Sequence, residues 1–216
     1  MNKTQQAIDV LQRMIEQGEL APGSMVSERT LVEMTGLGRT PIREAIQRLA
    51  PSYMIRVHAS KGIEIPAITV EDQLSGLEVR RAVEVLAVDL ACSRADSRQR
   101  YSMVALAARL SGRFSLSEYI DTIRETHSLI IEATGNRYLG ALMLPLQGLS
   151  RRFWIVHVRD EQREIARGQE LHRRILSAIA ESDANAAVAA SLALNDYLVE
   201  FSLAVLSKHA SRSRSG

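Results

Sequence analysis

The amino-acid sequence predicts a mainly α-helical protein with one short β-hairpin near its N-terminal end. Apolar residues recur at helical spacing along most of the 216-residue chain. Residues 54–65 instead read as two short, alternating, β-rich pieces joined by a turn. Aromatic residues make up only 4% of the chain. Aliphatic side chains therefore build the core, a composition that suits helix packing better than stacking platforms for single-stranded nucleic acid.

Two helices are predicted before residue 36, each with a recognisable start or stop signal. Residues 4–17 form the first, and Gly18 follows as a stop. After a Pro-Gly turn at residues 22–23, Ser27 is a typical N-cap and predicts a short second helix over residues 28–34. Residues 35–38, which include two glycines, form a tight connection to a third helix.

The third helix is predicted to have one apolar and one basic face. Thr40 is its predicted N-cap, and Pro41 is its predicted first residue, where a missing N–H costs nothing. Arg39, Arg43 and Gln47 share the outward face. In a DNA major groove, such an arginine can donate two hydrogen bonds to guanine; the alternative interpretation is a solvated surface. The inward face is predicted to contain Ile42, Ala45, Ile46 and Leu49.

The hairpin follows directly after this helix and completes a winged helix-turn-helix arrangement. Its tip carries His58, Lys61 and Gly62, and a glycine there permits close backbone approach to a phosphate or into a minor groove. The alternative is a plain two-stranded turn without a ligand. In a helix-turn-helix unit the second helix of the pair enters the major groove, and here that helix carries the arginines.

The charge distribution supports an anionic partner for this region only. The whole chain has a formal net charge of +2, which is too small to indicate a partner. Between residues 35 and 63, however, the only acidic residue is Glu44, whereas the basic residues are Arg39, Arg43, Arg48, Arg56 and Lys61. A local basic patch on a nearly neutral chain indicates a local anionic partner.

The rest of the chain reads as helices. We predict four parts: a DNA-binding winged helix-turn-helix domain over residues 1–66, a linker over 67–69, an all-helical domain over 70–208, and a disordered tail over 209–216. Pro145 is expected to interrupt or kink a helix that runs from about residue 138 to 158.

Cysteine content and hydropathy give a cytoplasmic expectation. Cys92, the single cysteine, lies in an apolar helical run, so it is predicted to be buried and no intramolecular disulfide is possible. The first residues are polar and no signal peptide is recognisable. No apolar run approaches the roughly 18 residues of a membrane span, so no membrane partner is expected.

The N-terminal third resembles the GntR family of bacterial transcription regulators. Residues 18–23 (Gly-Glu-Leu-Ala-Pro-Gly) and 26–31 (Val-Ser-Glu-Arg-Thr-Leu) stand where that family has G-x-L-x-P-G and L-x-E-x-x-L-A. Residues 39–49 match its string R-T-P-V-R-E-A-L-x-R-L. At residues 50–53 the chain has Ala-Pro-Ser-Tyr, where the family usually has acid-Gly-Leu. By the resemblance, the DNA-contacting positions are Arg29, Arg39, Thr40, Arg43, His58 and Gly62.

The C-terminal part resembles the FCD ligand-binding domain of the FadR subgroup. Residues 77–84, 127–136 and 170–187 fit its first-helix, F-H-x-x-I … A-x-G-N and H-x-x-I-x-x-A-I … D-x-x-x-A patterns. Many members bind a divalent metal with one Asp and three His. Here His127 and His172 remain, whereas Ile123 stands at the Asp position and the last His is expected near Leu194. Two imidazoles hold Zn²⁺ or Ni²⁺ weakly, so the alternative is a metal-free pocket in which both histidines contact an effector.

The resemblance and the residues together predict a ligand-responsive transcriptional regulator, expected to be a repressor. It would bind a pseudo-palindromic double-stranded operator as a homodimer and respond to a small organic acid. Residues 70–208 would then be the effector-binding and dimerisation domain. The predicted effector contacts are Arg80, His127, His172 and Asn195, with Arg80 either holding a carboxylate or forming a surface salt bridge with Glu84. The alternatives are a metal-dependent enzyme on a helical bundle, for which no nucleophile-base pair is recognisable, and a structural DNA-binding protein without a ligand.

Overall fold

The computed structural model describes residues 2–212, which form helices and one small sheet. The helices are α1 (Lys3–Glu16), α2 (Glu28–Thr35), α3 (Arg39–Leu49), α4 (Val70–Arg94), α5 (Ser97–Arg109), α6 (Leu116–Ala133), α7 (Arg137–His157), α8 (Glu161–Ala180) and α9 (Ala184–Arg212). The strands are β1 (Met25–Val26), β2 (Arg56–His58) and β3 (Gly62–Glu64), and a 3₁₀ turn spans Ala50–Ser52. The order of elements is that of a winged helix followed by a helical bundle.

The chain divides into two compact units, and the boundary differs from a simple cut after the linker. The N-terminal unit contains the chain as far as Thr69 together with Pro145–Val156, the second half of α7. The C-terminal unit contains Val70–Leu144 and the chain from His157 onward. Sequence periodicity did not predict that a segment so far along the chain packs with the N-terminal unit.

Local capping chemistry sets the start of α2 as predicted, but not that of α3. The Ser27 hydroxyl accepts a hydrogen bond from the Thr30 backbone N–H at 3.0 Å. In α3 the N-cap is Gly38, which offers no side-chain bond, so the prediction of Thr40 as N-cap was wrong. Thr40 is already helical and Pro41 is the third residue of the helix, where the N–H that it lacks would still have no intrahelical partner.

The wing is a three-stranded antiparallel sheet in the order β1-β3-β2. The predicted hairpin is present as β2 and β3, with Val57 opposite Ile63. The two-residue strand β1 pairs with the edge of β3 that faces away from β2. This pairing was not predicted, because two residues are too few to show the alternation of apolar and polar residues typical of a strand. The sheet therefore ties the wing to the turn before α2.

The core of the N-terminal unit is aliphatic. The predicted inward face of α3 is buried, and Ile42 and Ala45 have no exposed surface. The second half of α7 adds Phe153 and Trp154 to the buried residues of this unit, with 1% and 5% of their surface exposed. The cluster around α1, α2, α3 and the sheet consists of Ala7, Leu11, Met14, Ile15, Leu20, Leu31, Ile42, Ala45, Ile46, Leu49, Met54, Ile55, Ile63 and Ile65.

In the C-terminal unit, α4 and α8 both pack against α9, and α5 packs against α8. Asp96 and Ser115 start α5 and α6 with reciprocal capping boxes. Arg100 bridges two helix ends: it donates to the carbonyl of Cys92 in the last turn of α4, to that of Ala95 just after α4, and to that of Ile179 in α8. Cys92 is buried as predicted, and burial raises the pKa of its thiol.

The last helix differs from the sequence prediction. Helix α9 continues to Arg212, four residues into the predicted disordered tail, and residues 213–216 lie outside the described part of the chain. Within the described residues, Ala184–Ser207 is also the one helix long and apolar enough to cross a membrane. A buried core helix can pass the same test of length and hydropathy, and 44% of the apolar window in this helix is buried in the protein.

Candidate functional site

The first candidate surface is formed by exposed cationic side chains on α2 and α3. Arg39, Thr40 and Arg43 are exposed on α3, and Arg29 is exposed on α2. The predicted outward and inward faces of α3 are therefore confirmed, because the aliphatic positions of the helix are buried. An exposed helix with arginines near its N-terminal end has the form of a helix that enters a major groove.

Two of these arginines are already held by glutamates of α2. The Arg43 Nε–H donates to Glu28 Oε2 at 2.7 Å, and the Arg29 Nε–H donates to Glu33 Oε1 at 2.8 Å. Arg39 forms no ion pair with any residue that the structure describes. No sequence pattern predicts Glu28 as a partner of Arg43, because a separation of 15 residues between two short helices follows no helical or strand period.

The wing carries a second charged cluster, centred on Glu64. His58 Nε2 lies 2.6 Å from Glu64 Oε2, and Arg56 Nη1 lies 3.1 Å from the same oxygen. The hydrogen bond from His58, the largest effect, lowers the pKa of the Glu64 carboxyl; burial raises it, and the charge and hydrogen bond of Arg56 lower it further. Arg56 and Glu64 are directly opposite in the hairpin register, so this pair could have been found once the register was known.

Gly62 has a structural reason to be glycine. Its φ is +101°, and a Cβ atom at this position would lie 2.8 Å from the Val26 carbonyl oxygen of β1. The glycine thus permits β1 to pair closely with β3. A role of the same backbone in approaching DNA, as the resemblance implies, is compatible with this contact.

The second candidate site lies inside the C-terminal unit. His127 on α6 and His172 on α8 are both buried, and their ring centroids are 5.4 Å apart. The two helices therefore place the histidines side by side, as predicted for two residues of one pocket. His172 Nδ1 lies 2.7 Å from the Gly168 carbonyl oxygen; since a carbonyl can only accept, Nδ1 carries the proton.

The close approach of α6 to α8 beside this pair depends on a small residue. A Cβ atom on Gly168 would meet the Tyr119 hydroxyl oxygen at 1.9 Å. Tyr119 is buried, and this burial raises the pKa of its phenol. Gly168 therefore admits a buried tyrosine next to the carbonyl that orients His172.

Arg80 and Asn195 are both buried and both engaged. The Arg80 Nε and Nη2 atoms lie 3.0 and 2.9 Å from Glu84 Oε1. The pairing with Glu84 is one of the two predicted alternatives, but it is a buried ion pair and not a surface one. Asn195 Nδ2 donates to the Leu77 carbonyl oxygen at 3.0 Å, which ties α9 to α4.

The donor set around the histidines does not fit a resident Zn²⁺ or Ni²⁺ ion. Ile123 and Leu194, which stand at or near the positions of the missing ligands, are buried aliphatic side chains. In the described residues, no group of three or more His, Cys, Asp or Glu side chains could hold a metal. Stable zinc sites use about four such ligands, and two imidazoles supply half of them.

Comparisons with known proteins agree with this architecture. The family described as "Bacterial regulatory proteins, gntR family" matches residues 3–65, and the family described as "FCD domain" matches residues 76–196. Among curated proteins, the chain is 26% identical over 181 residues to the uncharacterized HTH-type transcriptional regulator YdhC of Bacillus subtilis, covering 82% of this chain and 80% of that protein. It is 28% identical over 169 residues to the Nta operon transcriptional regulator of Aminobacter aminovorans, covering 77% and 79%.

Solved structures show the same fold. Escherichia coli McbR/YncC superimposes with a TM-score of 0.75 at 20% sequence identity, over 97% of this chain and 99% of that chain. A putative GntR transcriptional regulator from Rhodococcus sp. RHA1 superimposes with a TM-score of 0.69 at 21% identity, over 96% and 99%. At such identities, the superpositions establish the fold alone.

Proposed function

Because this chain belongs to the GntR family of bacterial transcription regulators, in the group with a C-terminal FCD domain, we propose that it represses transcription from a pseudo-palindromic operator. The protein acts in the cytoplasm as a homodimer, and a small organic molecule bound in the C-terminal unit changes its operator affinity. Membership in a family of DNA-binding regulators also argues against the metal-dependent enzyme considered above.

The observation that carries the DNA-binding proposal is the face of α3. Arg39 and Arg43 project from one exposed side while the other side is buried in an aliphatic core. Base readout is assigned to these two arginines, and contacts to the backbone or minor groove are assigned to Arg29, Thr40 and the wing residues His58 and Gly62. Bidentate contact of arginine with guanine discriminates between base pairs, whereas phosphate contacts fix the register.

The operator and the role of Arg43 can be tested together. Duplexes selected by the wild-type protein from a random-sequence pool should contain two related half-sites about one helical turn apart, and binding should weaken steeply with salt. Arg43→Ala should lose about 1–3 kcal/mol on the selected duplex and relax discrimination at one base pair in each half-site. Arg48→Ala removes the same charge from α3 and is the control. Selection of no sequence by the wild type would refute sequence-specific binding.

Homodimerisation is proposed from exposed apolar side chains on two helices that pack together. Ala87 on α4 lies in one cluster with Leu139 on α7, so the two helices are neighbours within the C-terminal unit. Outside this contact, Val79 and Leu86 on α4, and Tyr138 and Leu142 on α7, remain largely exposed. We propose that a second copy of the chain covers these side chains, because two DNA-binding domains that each contact one half-site require a two-fold dimer.

The effector is proposed to contact His127 and His172, with Arg80 and Asn195 nearby in the same unit. Glu84 engages the Nε and Nη2 atoms of Arg80, and a guanidinium has five N–H donors, so an effector carboxylate is proposed to bind at the Nη1 donors. We therefore retain a small organic acid as the proposed class, recognised without a resident metal. Thermal-shift measurements with a panel of mono- and dicarboxylic acids, repeated on His127→Ala with His172→Ala, test this; a stabilising acid whose effect survives the double substitution would refute the site.

A further inference from the structure

The ion pair between Glu28 and Arg43 has a geometry that suggests a role in base reading. Glu28 is the first residue of α2 and Arg43 is the fifth residue of α3, and the contact crosses between the two helices. Glu28 accepts the Nε–H of the guanidinium at 2.7 Å. We propose that Glu28 is a specificity-determining residue, which holds the Arg43 side chain in position for one base pair of the operator; this inference rests on the proposed base-reading role of Arg43.

The backbone positions of both residues are well determined. The Ser27 cap fixes the start of α2, and the left-handed Gly36 ends this helix before α3 begins. Leu31 on α2 and Ile42 on α3 are fully or almost fully buried in one core. A carboxylate fixed on α2 can therefore restrict the rotamers of a long side chain on α3. The pair between Arg29 and Glu33 lies within α2, so it does not fix a side chain of one helix relative to the other helix.

The contact leaves the reading edge of the arginine available. Arginine has five N–H donors, of which Glu28 takes the one on Nε. No residue that the structure describes accepts a hydrogen bond from Arg43 Nη1 or Nη2. These two nitrogens can donate to guanine O6 and N7 while the Nε–H stays on the carboxylate.

Stability alone does not account for this acidic residue. The Arg43 and Glu28 side chains are 67% and 44% exposed, and ion pairs with that exposure contribute little to folding. A carboxylate that faces DNA also repels phosphates, so it lowers affinity for every sequence. What the pair provides is pre-organisation, because the rotamer freedom of Arg43 is lost before DNA binds and is not lost again when the side chain contacts its base pair.

Discrimination profiles with a double-mutant cycle test the inference. The probes are the duplex selected by wild-type protein, its single base-pair variants, and poly(dI-dC) as non-specific DNA. Glu28→Ala should reduce discrimination roughly 2- to 10-fold at the base pair that Arg43→Ala relaxes, and at no other. In the Arg43→Ala background, Glu28→Ala should change discrimination no further. Glu28→Gln, whose amide oxygen can still accept the Nε–H, should retain more discrimination than Glu28→Ala.

Two controls separate position from charge. Glu33→Ala removes an equal charge from the same helix, so it should raise affinity for poly(dI-dC) without changing discrimination at the Arg43 base pair. Arg39 has no such carboxylate partner among the described residues, so the effects of Glu28→Ala and Arg39→Ala should add. Circular dichroism melting of each variant checks that α2 remains folded.

The contrary outcomes are distinct. The inference is overturned if Glu28→Ala leaves discrimination unchanged, lowers it equally at all base pairs, or has the same effect without Arg43. It is also overturned if Arg43→Ala relaxes no base pair although the wild type selects a sequence. If the wild type selects no sequence, the proposed operator binding itself fails, and the inference fails with it.

Discussion

At the residue scale, single polar side chains decide how separate helices are joined. Arg100 is the clearest case, because one guanidinium donates to carbonyls at the C-terminal ends of both α4 and α8. The last carbonyls of a helix have no partner within that helix, so such a donor replaces bonds that water would otherwise supply. The pattern of apolar residues gives no indication of this role.

Arg100→Ala should lower the free energy of unfolding of the C-terminal unit by about 1–3 kcal/mol, because it removes charge-assisted hydrogen bonds to several carbonyls. Urea denaturation followed by circular dichroism measures the change. Arg98 is exposed on the same helix, and Arg98→Ala should change stability by less than about 0.5 kcal/mol. Equal effects of the two substitutions would contradict the bridging role.

The histidine pair gives a second prediction at this scale. Wild-type protein should bind Zn²⁺ or Ni²⁺ only weakly, because two imidazoles provide half of a stable ligand set. Ile123→Asp combined with Leu194→His restores the ligand types at the positions that the resemblance indicates and should tighten binding by at least about tenfold. Isothermal titration calorimetry measures this, with His127→Ala added to the double variant as the control. Tight binding by the wild type would show that other residues complete the site.

At the element scale, the second half of α7 contributes a buried ion pair to the N-terminal unit. Arg151 Nη2 lies 3.0 Å from Glu16 Oε1 on α1, and the two side chains are 7% and 0% exposed. Gly148 permits this approach, since a Cβ there would lie 2.2 Å from the Met54 methyl group and 3.2 Å from Glu16 Oε1. Taking both charges out of water is costly, so the contact depends on both partners being present.

Glu16→Ala should therefore cost about 3–5 kcal/mol of unfolding free energy, because the buried Arg151 guanidinium loses the carboxylate that it contacts at 3.0 Å. Replacement of both partners, Glu16→Met with Arg151→Met, should cost much less, since neither charge of this pair remains buried. Trp154, the only tryptophan, lies buried in the same segment, so its fluorescence during urea unfolding reports on this unit. If the double variant were as unstable as Glu16→Ala, the loss of stability would come from altered packing and not from an unpaired buried charge.

At the scale of the whole molecule, the exposed apolar side chains of α4 and α7 form the surface of the proposed dimer. Exposed apolar residues are also normal on a monomer, so the oligomeric state has to be measured. The chain mass is 23.9 kDa, so light scattering distinguishes a monomer from a dimer directly.

Leu86→Glu with Leu142→Glu should convert a dimer to a monomer at micromolar concentration, because it would bury four uncompensated carboxylates in the symmetric interface. Operator affinity should also fall, because a monomer has only one DNA-binding domain to contact the two half-sites. Val104 is equally exposed on α5, outside both helices, and Val104→Glu should leave the mass unchanged. A monomeric wild type would defeat the proposal.

Local signals along the chain were sufficient to predict the helical class, the winged helix-turn-helix, and the buried apolar face and exposed basic face of α3. Helix periodicity and caps such as Ser27 act over a few residues, so they can be read without the fold. Thr40 shows the limit, because a threonine before a proline satisfies the capping pattern although the helix starts at Arg39, after the glycine. His127 and His172 could also be placed on facing helices from the resemblance.

Only the tertiary structure decided which distant residues meet. The pairs Glu28–Arg43, Glu16–Arg151 and the strand pair β1–β3 join segments whose separation follows no period, and the burial of Arg80 with Glu84 depends on the helices packed around α4. The assignment of Pro145–Val156 to the N-terminal unit is of the same kind. Periodicity records which side of an element is apolar, whereas the partner of that side is selected by packing and by the cost of leaving a buried charge alone.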